Sequence, residues 1–190
     1  MSDSQFSRQW QLGVNTLFFL SGSTGLIFEV LWTRLISSLV GGTAIAMTCV
    51  FMVYIVALSL GARIAGSVKA TGKRALLYYG VVEALVGLLG FALTMLMLHE
   101  RALIIDVAAA TVGLEGIWSW VLISTAIVGP PATLMGLTLP LALNALSGYV
   151  SARKHLTTIY GINILGGGCG ALLTGFVLLW QLGVTGSALL

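Results

Sequence analysis

Five long apolar stretches restrict the fold of this chain more than any other feature of its sequence. A helix that crosses the hydrocarbon core of a membrane needs about 20 mainly apolar residues. Only 8% of the residues are charged and the mean hydropathy is +1.04, whereas soluble domains carry about 25% charged residues. The chain is therefore predicted to be an integral membrane protein of the all-α class.

The predicted fold is a polytopic helix bundle in which residues 1–190 form a single membrane domain. The fourth apolar stretch is long for one span and contains three prolines, so a kinked or broken helix is expected there. Division of this stretch into two spans would give six helices, and this alternative stays open. Residues 101–114 are too short to span alone and are predicted to form an interfacial or re-entrant helix. The five predicted spans cover residues 12–36, 43–63, 75–98, 116–147 and 157–181.

The distribution of basic residues predicts the orientation of the helices. Seven of the nine Lys and Arg residues lie in the N-terminal tail and in segments 63–74 and 148–156, which share one side of the membrane in the five-span arrangement. Segment 99–115, on the other side, contains three acidic residues and one arginine. Because positively charged loops stay in the cytoplasm, the N-terminus is predicted to be cytoplasmic and the C-terminus external. The expected location is the cytoplasmic (inner) membrane of a bacterial-type cell.

Two acidic residues, Glu29 and Glu83, lie within predicted spans. A charged side chain at bilayer depth costs about 3 kcal/mol on insertion scales and normally faces the interior of the bundle. Each acid shares a helix face with glycines, against which a neighbouring backbone can lie closely. Both side chains are therefore predicted to bind a cation, a proton or an amine, or to make a fixed bond to an internal partner. The glycines on these faces are Gly22 and Gly25 in the first helix and Gly87 and Gly90 in the third.

The partner of Glu29 is expected to come from another helix. Arg34 is close in sequence, but at five residues along a helix it points about 140° away. Asn163, Asn144 and Tyr160 are therefore favoured over Arg34 as partners. Together with the second acid and a nearby tryptophan, these residues form a candidate intramembrane polar site. Its members are Glu29, Trp32, Arg34, Glu83, Asn144, Tyr160 and Asn163.

The fifth predicted helix contains small residues at intervals of four, in two adjacent registers. This spacing is typical of helices that pack closely in membranes. A nucleotide-binding glycine loop would instead follow a strand of a soluble domain and open a helix. Gly166, Gly167 and Gly170 are therefore predicted to lie at a helix–helix contact.

The sequence contains no group of residues typical of catalysis or metal binding, such as a Ser/His/Asp set or an HExxH motif. We therefore expect no catalytic residues, no cofactor and no metal, and we expect that the chain is not an enzyme. The net charge of +3 is small and is confined to loops, which argues against nucleic-acid binding. The expected partners are the lipid bilayer and either other membrane subunits or further copies of the chain.

Three segments resemble one known family: residues 26–35 (LIFEVLWTRL), residues 130–141 (PPATLMGLTLPL), and residues 160–166 (YGINILG) with the LLTGF that follows at 172–176. In this order they are similar to the N-terminal membrane domain of fused, membrane-bound spermidine synthase-like proteins, which are polyamine aminopropyltransferase-like. In that family a soluble domain with the catalytic residues follows, and its motifs are not found in these 190 residues. The resemblance therefore implies the membrane part of such a protein, or a stand-alone relative, without catalysis. The positions that it singles out are Glu29, Trp32, Arg34, Pro130, Pro131, Pro140, Tyr160 and Asn163.

Two functional hypotheses follow from the sequence. In the first, the chain is a non-catalytic membrane subunit whose glycine faces pack against a larger membrane complex and help to assemble or anchor it. In the second, it is a small transporter-like or binding module for a cation or polyamine that uses Glu29 and Glu83. The first is favoured because five helices enclose little volume, and alternating-access transporters usually pair two repeats.

Overall fold

A computed structural model describes residues 8–40, 43–112, 117–146 and 152–188, and no strand occurs in these ranges. Five of the helices are long and apolar enough to cross a membrane, which confirms the predicted all-α bundle with five spans. The helices are α1 Arg8–Val40, α2 Thr43–Gly66, α3 Gly72–His99, α4 Arg101–Val112, α5 Ile117–Leu146 and α6 Ala152–Leu173, which continues through a π-helical turn at Thr174–Leu178 into α7 Leu179–Ala188.

Helix α5 is continuous even though it contains Pro130, Pro131 and Pro140. Proline usually interrupts a helix because it lacks a backbone N–H, but neighbouring helices make it tolerable within a membrane span. The stretch is not divided into two spans, so the six-span alternative is not found, and a kink within the continuous helix stays a prediction. The 12 residues of α4 extend about 18 Å, which is too short to cross a hydrocarbon core of about 30 Å.

Helices α2 and α5 form the first of two close pairs. Gly61 of α2 lies against the carbonyl group of Thr133, and Gly136 of α5 lies against that of Leu58. A Cβ atom at either glycine would overlap the neighbouring main chain. The two backbones can therefore approach this closely only because both positions are glycine.

Helices α1 and α6 form the second close pair. Gly166 of α6 lies against the carbonyl group of Phe19, and a Cβ atom at Gly170 would come within 2.5 Å of the Ser23 carbonyl oxygen. Gly22 makes the reciprocal contact from α1, against a main-chain carbonyl group of α6. The Ser23 hydroxyl also donates a hydrogen bond of 2.9 Å to the carbonyl oxygen of Gly166. The glycines thus allow a polar bond between helices as well as close packing.

Two other glycines of this pair, Gly167 and Gly25, have a side chain as their nearest neighbour. A Cβ atom at Gly167 would lie 3.2 Å from the Leu26 Cγ atom, and one at Gly25 would lie 3.5 Å from the Tyr54 hydroxyl. A Cβ atom at Gly167 would also lie 3.4 Å from the Gly22 carbonyl oxygen, so both side chain and main chain border this position.

Helix α3 contacts α1 through large side chains. The Trp32 indole is fully buried and donates from Nε1 to the Thr94 hydroxyl at 3.0 Å. The Phe28 ring stacks on Trp32 with a centroid distance of 5.3 Å, and a Cβ atom at Gly90 would come within 2.7 Å of this ring. At Gly87 a Cβ atom would meet nothing within 4 Å. The close helix contact predicted at Gly87 is therefore not found among the described residues.

The α2–α5 contact is not among the predicted ones, although the sequence contains a signal for it. Ala57, Gly61 and Ala65 follow one another at intervals of four in α2, and all three are buried. Ala132 and Gly136 have the same spacing in α5 and are also buried. The small-residue spacing that predicts the α6 contact therefore also occurs on α2 and α5.

The two ends of the bundle differ in charge. Exposed lysine and arginine side chains lie in the turn between α2 and α3 and in the helix ends beside it, at Arg63, Lys69, Lys73 and Arg74. At the opposite end, Arg101 donates to the carbonyl oxygen and the hydroxyl of Ser38, both at 3.0 Å, and joins α4 to the end of α1. Glu115 and residues 147–151, which also enter the charge argument, lie outside the described residues.

We expect single cysteines at Ala70 and Ala152 to react from the cytoplasmic side and one at Ala110 to react from the outside. The reason is the excess of basic residues around the first two positions. The measurement is labelling with a membrane-impermeant maleimide in right-side-out and inverted vesicles, after Cys49 and Cys169 are replaced by alanine. Labelling of the first two positions from opposite sides would contradict the five-span arrangement.

Candidate functional site

A cavity of about 420 Å³, here termed the interhelical cavity, lies between the two helix pairs and α3. Each pair is held together through backbone contacts, and the glycines Gly22, Gly25 and Gly136 contribute to the cavity wall without filling it. Most of the wall is apolar. The polar side chains that line it are Ser21, Tyr54, Glu83, Thr138, Tyr160 and Asn163.

Glu83 supplies the carboxylate of this cavity. The Ser21 hydroxyl donates to Glu83 Oε1 at 2.6 Å, and the Tyr79 hydroxyl interacts with both groups. The Tyr79 ring packs against Phe18 with a centroid distance of 5.5 Å. Glu83 lies eleven residues after the start of α3, or about 16 Å along the helix. The Ser21 hydroxyl therefore positions this carboxylate close to the middle of the span.

Glu29 does not line the interhelical cavity. It lines a separate outer cleft of about 390 Å³ together with Thr33, Met47 and Phe51. Its carboxylate makes no hydrogen bond or ion pair with a residue in the part of the chain that the structure describes. The two intramembrane acids therefore have different surroundings.

The asparagines expected to contact Glu29 make other bonds. Asn163 Nδ2 donates to the carbonyl oxygen of Phe18 at 3.0 Å and joins α6 to α1. Asn144 Nδ2 donates to the carbonyl oxygen of Val68 at 3.3 Å, near the α2–α3 turn. Phe18 precedes Glu29 by eleven residues on α1, which is about 16 Å. The expected bond to Glu29 is not found because both amides lie nearer the basic end of the bundle.

The remaining predicted site residues also lie in different places. Tyr160 lines the cavity and is 52% exposed, so it lies at the rim. Trp32 is buried between α1 and α3, and Arg34 is exposed on the outside of α1. The structure brings together Glu83, Tyr160 and Asn163 around the cavity, and places Glu29, Trp32, Arg34 and Asn144 elsewhere.

Sequence reasoning did not identify Ser21 and Thr138 as residues of this site. Both are hydroxyl residues inside spans, and such residues are common there because they bond their own helix backbone. Thr138 does so, with its hydroxyl 2.7 Å from the Met135 carbonyl oxygen. The sequence indicates only that these two polar residues lie within spans. It does not indicate which neighbouring helix or cavity their side chains face.

Comparisons with known proteins relate the chain to one kind of enzyme. It is 27% identical over 186 residues, which is 95% of the chain, to the polyamine aminopropyltransferases of Mycobacterium tuberculosis and Mycobacterium bovis. The match covers 33% of each relative, so the chain spans about a third of the length of these proteins. No family model matches the chain, and no solved structure does.

These relatives correct the expectation that the chain is not an enzyme. The proteins that it resembles over nearly its whole length are transferases by name. That expectation was based on the lack of catalytic residues in the apolar helices. A membrane segment can, however, belong to an enzyme whose catalytic residues lie in another domain. The similarity to aminopropyltransferases is distant and covers only a third of their length. The activity in their name belongs to the full-length relatives.

Proposed function

We propose that this chain is the membrane-embedded part of an aminopropyltransferase that acts on polyamines, and that it anchors and helps to assemble this enzyme at the cytoplasmic membrane. One observation carries the proposal. A chain with five candidate spans aligns over 95% of its length with a third of proteins named polyamine aminopropyltransferase. The transferase unit would be joined to it in one polypeptide or as a partner subunit.

The surface of the bundle supports an anchoring role. Leu165, Phe176 and Trp180 on α6, the π-helical turn and α7 are 66%, 76% and 87% exposed. Apolar surface of this kind is covered by lipid or by another membrane protein. The exposed basic turn between α2 and α3 is the face on which a soluble transferase unit is expected, since the charge pattern assigns it to the cytoplasm.

Purification of the tagged chain from its native membrane tests this proposal. We expect an aminopropyltransferase unit to be recovered with it, and the purified material to transfer aminopropyl groups to a polyamine. Deletion of the chain should move this activity from the membrane fraction to the soluble fraction or abolish it. An unrelated five-span protein with the same tag is the control. An unchanged amount of membrane-bound activity after deletion would contradict the proposal.

A further inference from the structure

We propose that the interhelical cavity binds the ammonium group of an aliphatic amine at Glu83. This is a binding function of the membrane helices themselves. It goes beyond anchoring and does not require that a transferase unit be attached.

The distribution of charge around the cavity is the first observation that supports this proposal. Glu83 is the one acidic residue among the described residues that line it, and none of those residues is basic. The polar contacts of the carboxylate are with hydroxyl groups, those of Ser21 and Tyr79. A carboxylate inside a membrane protein is costly unless a proton or a cation neutralises it. A cation that enters the cavity would therefore meet an acceptor that is already positioned.

The composition of the wall favours an organic cation over a metal ion. Mg²⁺ and Ca²⁺ take about six or more oxygen ligands, whereas this wall has one carboxylate among side chains such as Leu26, Leu58 and Val86. These apolar groups can pack against methylene groups. Tyr54 and Tyr160 also line the cavity, and tyrosine rings attract ammonium groups through their faces. The volume of about 420 Å³ lies within the usual range for small-molecule sites, about 300–1,000 Å³.

The cavity lies in the half of the bundle that contains the basic turn. Ala62, four residues before the end of α2, is one of its lining residues and is exposed. Tyr160, near the start of α6, is 52% exposed. An amine could therefore enter from the end of the bundle that the charge pattern assigns to the cytoplasm. The ammonium group could belong to a soluble amine or to the headgroup of an ethanolamine lipid.

Equilibrium binding of radiolabelled spermidine to the full chain tests the proposal, in detergent and in nanodiscs with or without phosphatidylethanolamine. We expect saturable binding that Glu83→Gln weakens by about tenfold or more, because the charge-assisted bond is lost. Glu29→Gln is the matched control, since it removes the other intramembrane acid from a cleft outside the cavity. It should change the affinity by less than about twofold.

The variants also separate binding from folding. Glu83→Gln keeps an acceptor for the Ser21 hydroxyl, so its unfolding temperature should stay near that of the wild type. If it does not, Ser21→Ala is the second variant, and it should weaken spermidine binding several-fold by releasing the carboxylate. A further outcome is that phosphatidylethanolamine displaces spermidine only when Glu83 is present. This result would support the site and identify the lipid as a source of the ammonium group. Absence of saturable binding, or binding that neither variant weakens, would overturn the proposal while co-purification of a transferase unit stayed unaffected.

Discussion

Replacement of Gly166 by leucine is expected to separate α6 from α1 and to cause a large loss of stability. A Cβ atom at this position would overlap the carbonyl group of Phe19. Overpacking usually costs about 1–3 kcal/mol. The upper end of this range, about 3 kcal/mol, is expected because the overlap is with main chain, which cannot rotate away as a side chain can. The measurement is thermal or denaturant-induced unfolding of the purified protein in detergent.

Gly168→Leu is the control for this substitution. Gly168 lies two residues further along the same helix, is exposed, and a Cβ atom there would meet nothing within 4 Å. Leucine at this position should face lipid and change the unfolding free energy by less than about 0.5 kcal/mol. Equal losses at Gly166 and Gly168 would mean that the cost comes from the loss of glycine in the helix and not from the contact between helices.

Replacement of Trp32 by alanine is expected to have a similarly large effect. This side chain is fully buried, stacks on Phe28 and donates its N–H to Thr94. Removal of a buried aromatic side chain usually costs about 3–5 kcal/mol, since it leaves a cavity. Trp180→Ala is the control, because that side chain is 87% exposed and its loss should cost less than about 0.5 kcal/mol. Unfolding in detergent measures both variants.

The hydrogen bond within this core can be tested separately. Thr94→Val should leave the indole N–H without its acceptor and cost about 1–3 kcal/mol. Thr94→Ser keeps the hydroxyl group, which also donates to the Gly90 carbonyl oxygen at 2.7 Å, and should cost less. Equal losses in the two variants would show that the methyl group and not the hydrogen bond stabilises the contact between α1 and α3.

The sequence by itself determined the class of the fold, and it predicted five spans with six as an alternative. Whether a segment can cross the bilayer depends on its own length and apolar content, so five spans could be predicted without knowledge of their neighbours. The same holds for the α6 packing face. Small residues at intervals of four come onto one side of any helix, and Gly166 and Gly170 lie against α1.

The tertiary structure alone decided which acidic residue lines the cavity. Helical periodicity places Glu29 and Glu83 each on a glycine-bearing face, but it determines neither the rotation of a helix about its axis nor its height relative to the next helix. Ser21 and Glu83 are 62 residues apart in sequence and 2.6 Å apart in space. The expected partners of Glu29 lie at a different height along the bundle. These offsets depend on close backbone contacts, such as that of Gly61 in α2 with α5 and that of Gly166 in α6 with α1. Each contact involves two segments at once, so it cannot be derived from the sequence of either one.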